Sequence, residues 1–244
     1  IKSNWDDRPG RTDGADYGHR GNWLKSCVAF LDVNGKPTPC AVTNRGIYTY
    51  SYASAIHWDG NKLNVLWKHT SDVAGQGIYG EGAHSITCGD VDNDGFDEII
   101  YGSACIDHDG SLYYRTGFGH GDAMHVSDLD PSTADLEGWF VHEETGSAYG
   151  FELRNLRTGK VIFGEKTNSD VGRGLAADID AKYPGFECWS TANGNVYDCK
   201  GNVISSKRPS VNFRIYWDGD LQDELLDGNK LDKWNGNGTT RLFS

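Results

Sequence analysis

Apolar positions in this chain come in short runs of Val, Ile, Tyr, Phe and Trp, cut every few residues by Gly, Asn and Asp. No stretch of a dozen residues sustains the 3.6-residue period of an amphipathic helix, so the pattern predicts strands. Residues Ile99 to Tyr114 read as a strand, a turn at Asp109-Gly110 and a second strand. Hairpins are likewise predicted at Thr191–Tyr197 and Cys199–Ile204.

One polar stretch recurs. Gly89-Asp90-Val91-Asp92-Asn93-Asp94-Gly95-Phe96-Asp97-Glu98 is echoed by Asp128-Leu129-Asp130 with Glu137, Asp178-Ile179-Asp180 with Glu187, and Asp218-Gly219-Asp220 with Glu224. The leading aspartates lie 38, 50 and 40 residues apart, and a fainter copy at Leu31–Gly35 precedes them. Periods of about 40 to 50 residues made of strand-like runs fit propeller blades of four strands, and leucine-rich or ankyrin repeats are shorter. The expectation is an all-β fold, a single β-propeller segment over residues 1–244. Its blades fall near 20–75, 80–116, 118–167, 170–207 and 208–244, with the last incomplete because only 26 residues follow Asp218.

Composition narrows the picture. Eight Trp and twelve Tyr supply bulk for packing between sheets. No apolar run approaches the ~18 residues of a membrane span, and the first residues lack the apolar core of a signal peptide, as in a chain whose leader is removed or one that is an internal piece. A net charge of −12, from 35 acidic and 23 basic residues, argues against nucleic acid or an anionic membrane as partner. The six cysteines fall in near neighbours, Cys27 with Cys40, Cys88 with Cys105 and Cys188 with Cys199; disulfides and buried thiols are both open.

Many of the carboxylates sit in the repeated loops. Asp90, Asp92, Asp94 and Glu98 stand at positions 1, 3, 5 and 9, with the Phe96 carbonyl at position 7, and several hard oxygens in such a loop suit Ca²⁺. No helices flank the loop, so it is not an EF-hand. Asp128, Asp130 and Glu137, Asp178, Asp180 and Glu187, and Asp218, Asp220 and Glu224 are weaker copies of the same ligand set; an Asp-rich turn solvated by water is the alternative throughout.

Aligning the repeats on their leading aspartates exposes a second pattern. Six residues earlier stand His84, Asp122, Gly172 and Asn212, with Arg173 one place on. In a propeller the first strand of each blade lines the central channel, so these positions would form a polar ring at one end of it. His84, His120, Asp122 and Glu143 are candidates for one metal ion there, with His125, His142 and Glu144 around them.

These residues carry a resemblance. Gly82-Ala83-His84-Ser85-Ile86-Thr87, Gly102-Ser103, Gly119 to His125, Val141-His142-Glu143-Glu144, Gly172 to Asp180, Asn235 to Leu242 and Pro9 to Gly14 together resemble the rhamnogalacturonan lyases of polysaccharide lyase family 11, in the same order along nearly the whole chain. The resemblance implies an eight-bladed, calcium-rich propeller. It implies cleavage of rhamnogalacturonan I, an acidic pectin polymer of alternating rhamnose and galacturonate, by calcium-assisted β-elimination. Carried over, it makes His84, His120, Asp122 and Glu143 the calcium ligands of the cleft and Arg173 the catalytic arginine; Asn212 is assigned to substrate binding. Members of that family are longer, so this chain reads as a middle segment whose partners include the remaining blades, and its location as secreted or periplasmic. Asn237-Gly238-Thr239-Thr240 lacks the lysine of the family's Asn-Gly-Thr-Lys motif.

Elimination at galacturonate needs a cation on the uronate carboxylate, because the C5 proton is only weakly acidic while that group is ionised. Arg173 is base or carboxylate clamp, and the clamp is physically easier because a guanidinium holds its proton near pH 7. Two other readings remain: a non-catalytic, calcium-stabilised propeller of lectin or adhesion type, and a glycoside hydrolase using two carboxylates such as Asp122 and Glu143.

Overall fold

In a computed structural model, residues 23–244 are described, and they form twenty strands in five four-stranded antiparallel sheets. The first sheet is β1 (Leu24–Asp32), β2 (Pro37–Arg45), β3 (Ser51–Trp58) and β4 (Leu63–Ser71); the second is β5 (Thr87–Gly89), β6 (Glu98–Tyr101), β7 (Ala104–Ile106) and β8 (Leu112–Arg115). The third holds β9 (Met124–Ser127), β10 (Glu137–Val141), β11 (Phe151–Asn155) and β12 (Lys160–Glu165). The fourth holds β13 (Gly174–Ala177), β14 (Glu187–Ser190), β15 (Val196–Tyr197) and β16 (Val203–Ser205), and the fifth β17 (Phe213–Ile215), β18 (Glu224–Asp227), β19 (Lys230–Trp234) and β20 (Thr239–Phe243). Each sheet is a meander in chain order. Among the described residues there is no α-helix, and no helix long and apolar enough to cross a membrane. The Pro9–Gly14 motif lies outside the described residues.

Two details depart from the sequence reading. Residues 99–114 hold three strands, because Gly102 turns the chain back between β6 and β7 with φ +64°. The fifth sheet has all four strands despite the short stretch after Asp218, because β18 and β19 are joined by a tight turn at Gly228, where Asp227 pairs Lys230.

The second strands of the three middle sheets are covered on both faces. All four residues of β6, all five of β10 and all four of β14 are buried, as strands covered on both faces read as continuous apolar runs. The chain divides into two compact units, one ending at His120 and the other spanning Gly121–Ser244. In the first, Leu31, Val42, Ala55, Ile78, Ile99 and Ile106 share a core. In the second, Trp139, Phe151, Leu153 and Tyr197 pack between the third and fourth sheets, and Leu175, Trp189, Val196 and Leu225 between the fourth and fifth.

The suggested cysteine pairs are not bridged. Cys27, Cys88 and Cys188, one member of each pair, carry free thiols. Register accounts for this: Cys27 faces Val42 while Cys40 faces Ala29, Cys88 faces Ile99 while Cys105 faces Ile100, and Cys188 faces Tyr197. The Cys88 thiol donates instead to the Val28 carbonyl of the first sheet at 3.1 Å.

Candidate functional site

In the first unit the site begins at a buried carboxylate that sequence reasoning missed. Glu81 Oε1 accepts from Arg115 Nη2 at 2.5 Å, its Oε2 accepts from the Gly117 N–H at 3.0 Å, and its carbonyl accepts from the Ser103 N–H at 2.8 Å. The Ser103 hydroxyl donates to the Gly119 carbonyl at 2.7 Å. The segment before His84 and the segment before His120 are thereby tied together. The fit is close enough that a Cβ on Gly102 would lie 2.6 Å from the Glu81 carbonyl oxygen. The only signal for Glu81 in the sequence was a lone acid beside Gly82.

This clamp sets His84 and His120 with ring centroids 5.1 Å apart. Trp23 packs edge-on against His84 at 4.5 Å, and Tyr48 lies 4.4 Å from His120. His120 Nδ1 donates to the Gly82 carbonyl at 2.6 Å, which places the ring's lone pair on Nε2. Holding one imidazole nitrogen by a backbone carbonyl while the other is presented as a ligand is how metal-binding histidines are oriented.

In the second unit three segments meet at one end of the third and fourth sheets: Asp122 ahead of β9, His142-Glu143 after β10, and Gly172-Arg173 ahead of β13. The Val141 N–H donates to the Ala123 carbonyl, and the Val171 N–H to the His142 carbonyl at 3.1 Å. Gly121 passes so near Val141 that an added Cβ would sit 2.0 Å from the Val141 oxygen. Arg173 Nη1 donates to the Gly172 carbonyl at 2.8 Å and lies 3.7 Å from Asp122 Oδ2, with its side chain 61% exposed. A guanidinium held at its base and open to solvent can receive an anion. Beneath, His142 Nε2 lies 3.4 Å from the fully buried Glu152, which in turn lies 3.6 Å from Arg154. His125 meets the Gly174 carbonyl at 3.0 Å, and burial lowers its pKa. Asn212 is turned to Asp227, donating to its carboxylate at 2.6 Å.

The four acidic loops share one device. The closing glutamate of each, Glu98, Glu137, Glu187 or Glu224, begins the second strand, is fully buried, and accepts backbone N–H groups of its own loop through Oε2. The donors are Val91, then Leu129 and Asp130, then Ile179 and Asp180, then Trp217 and Asp218. These glutamates were read as cation ligands only; they also staple the loop.

The other oxygen separates the loops. Glu98 Oε1 and Glu187 Oε1 are buried without a hydrogen-bond partner, and burial pushes each carboxyl up to about 8. Asp90, Asp92 and Asp94 bring oxygens within 4.8 Å of one another, and Asp94, Glu98 and His108 do the same. Phe96 caps this loop, its N–H donating to Asp94 at 2.8 Å. A buried oxygen that lacks a donor, facing further carboxylates, fits a hard divalent cation. Glu137 Oε1 instead accepts from the Thr133 hydroxyl at 2.9 Å, Lys200 binds Asp130 and Ser132, and Asp128 is exposed. Asp218, Asp220 and Glu224 converge on Lys233. Asp178 turns its N–H to Asp223 at 3.0 Å, and Asp180 accepts from the Trp234 indole at 3.1 Å.

Fold and site define a chain of repeated four-stranded β-meanders whose acidic loops are stapled by buried glutamates, with a histidine pair and an open arginine ahead of the first strands. Residues 5–244 match the family described as rhamnogalacturonan lyase family 11, C-terminal domain, and the chain belongs to that family. It is 45% identical over 224 residues to the rhamnogalacturonan endolyase YesW of Bacillus subtilis, and 43% identical over 239 residues to the rhamnogalacturonan exolyase YesX of the same organism. Each match covers 91% of this chain, and 35% and 39% of those proteins respectively. Among solved structures, rhamnogalacturonan lyase YesW superposes with a TM-score of 0.88 at 41% identity, over 100% of this chain and 42% of that one. A Bacillus licheniformis rhamnogalacturonan lyase superposes with a TM-score of 0.87 at 47% identity, over 97% and 41%.

Proposed function

We propose that this chain is the catalytic part of a rhamnogalacturonan lyase that cleaves the rhamnose–galacturonate backbone of pectin by β-elimination. The observation that carries this reading is membership of the lyase family over residues 5–244, with 45% identity to an endolyase. The five meanders are then blades of a β-propeller whose other blades come from the additional length that the relatives have. The protein acts on an extracellular polymer and is secreted or periplasmic.

His84 and His120 form the nitrogen part of the cleft's calcium set, and Asp122 and Glu143 the oxygen part. These residues would hold a calcium ion, which would supply positive charge against the uronate carboxylate and so favour loss of the C5 proton. The Arg173 guanidinium binds the same substrate carboxylate and stabilises the enolate-like charge. His142, lodged against Glu152, holds the backbone that presents Glu143. The loops ending in Glu98 and Glu187 hold structural calcium. Asn212, exposed and oriented by its bond to Asp227, would contact the substrate.

Incubation with rhamnogalacturonan I and calcium should raise the ultraviolet absorbance of unsaturated uronate, and Arg173→Ala should lower that rate at least a hundredfold. Saturated product ends would favour hydrolysis, and binding without cleavage would favour a lectin-like module. Either result, obtained with the protein that carries the remaining blades, would refute the lyase reading.

A further inference from the structure

The acidic loop of the fifth sheet does not fit the calcium its sequence suggests. We propose that the loop at Asp218–Glu224 is closed by the ammonium of Lys233, which takes the place that a divalent cation holds in the loop at Asp90–Glu98. Lys233 lies on β19, the third strand of the same sheet, and reaches back to the hairpin between the first two. Its Nζ donates to Asp218 Oδ2 at 2.5 Å, to Glu224 Oε1 at 3.0 Å and to Asp220 Oδ2. An ammonium has three donors, and here three carboxylates each take one. Calcium wants six to eight oxygens around a single centre, and Lys233 already occupies that centre.

The contrast with the second sheet is internal to the molecule. Glu98 and Glu224 hold equivalent places, and each uses Oε2 to bind its loop's backbone, through Val91 and through Trp217 with Asp218. Glu98 Oε1 has no donor, whereas Glu224 Oε1 has Lys233. His108 Nδ1 lies 3.8 Å from Glu98 Oε1. The neighbouring acid Asp223 does not compete for the lysine, because Arg214 binds it at 3.0 Å. The carboxylates of the two loops thus have the same need for positive charge, met within the chain in one and from solution in the other. The fifth sheet would keep its hairpin when calcium is scarce.

Bound calcium per chain, counted by elemental analysis after equilibration and desalting, tests this in the intact protein. Asp220→Asn should leave the count unchanged, since Asp220 is exposed and its loop holds no calcium; loss of one equivalent would overturn the proposal. Lys233→Met should lower the thermal midpoint in chelator by 5 °C or more, and millimolar calcium should add one equivalent and restore it. A Lys233→Met protein with the wild-type count and midpoint would also overturn it. Should Lys233→Met fail to fold, the Asp220→Asn count decides alone. This contrast rests on the calcium reading of the second sheet, so Asp92→Asn is run alongside: a lost equivalent there supports that reading, and its absence sinks it separately.

Discussion

Replacing Glu81 by Ala probes the clamp that sets the two histidines. The carboxylate is 2% exposed, bonds Arg115 at 2.5 Å and accepts the Gly117 N–H at 3.0 Å, so its removal strands a partly buried guanidinium and orphans an amide. Breaking a buried pair by removing one partner costs roughly 3–5 kcal/mol. Because the Arg115 side chain keeps 22% exposure, water repays part of that, and the low end, about 3 kcal/mol, is expected. For a domain of this size that corresponds to about 6–12 °C in thermal midpoint, measured by circular dichroism. Glu81→Gln keeps the shape and loses the charge, and should fall by about half as much. The double variant Glu81→Ala/Arg115→Met should be little worse than Glu81→Ala alone, since the second change removes the stranded charge. A midpoint within 2 °C of wild type for Glu81→Ala, or strictly additive losses in the double variant, would refute the idea that this pair holds the segments together.

Three further outcomes are expected. Gly121→Ala brings a Cβ to 2.0 Å from the Val141 oxygen, so the backbone ahead of Asp122 must shift, at a cost of about 1–3 kcal/mol in thermal unfolding. In chelator, Glu98 and Glu187 ionise near pH 8 in the folded state against about 4.5 when unfolded, so the stability they contribute is full below about pH 4.5 and is lost as pH rises to 8. The midpoint should therefore drop between pH 5 and pH 8 in chelator, and calcium should flatten that slope; parallel slopes with and without calcium would count against cations at these glutamates. His84→Ala or Asp122→Ala should reduce turnover far more than Asp92→Ala, which should chiefly lower the midpoint, and equal effects would argue against separate functional and structural cations.

What a linear reading can reach depends on the range of the interaction. The acidic repeat announced the sheets because a turn that caps its own backbone, as Asp90 does for Asp94 and Gly95, is local: the N–H groups of residues 94 and 95 bond a carboxylate four or five places back. The equal offset of His84 and Asp122 from the leading aspartates was legible for the same reason, since each stands just ahead of the first strand of its sheet. Arg173 was found the same way, but not its 3.7 Å approach to Asp122, which depends on how the third and fourth sheets pack.

The rest was decided by distant partners. Nothing near Glu81 in the chain foretells Arg115, 34 residues on, and nothing near Asp218 foretells that a lysine from the third strand will answer three carboxylates. The cysteine neighbours left disulfides open because sequence measures separation, whereas strand register decides which side chains face, and it sets Cys27 opposite Val42 and Cys40 opposite Ala29. Repetition in the sequence thus determined the sheets and their loops, because those bonds close within a few residues. Which carboxylates find a charge inside the protein was left to the tertiary structure, because only folding brings a cation from elsewhere in the chain within hydrogen-bond reach.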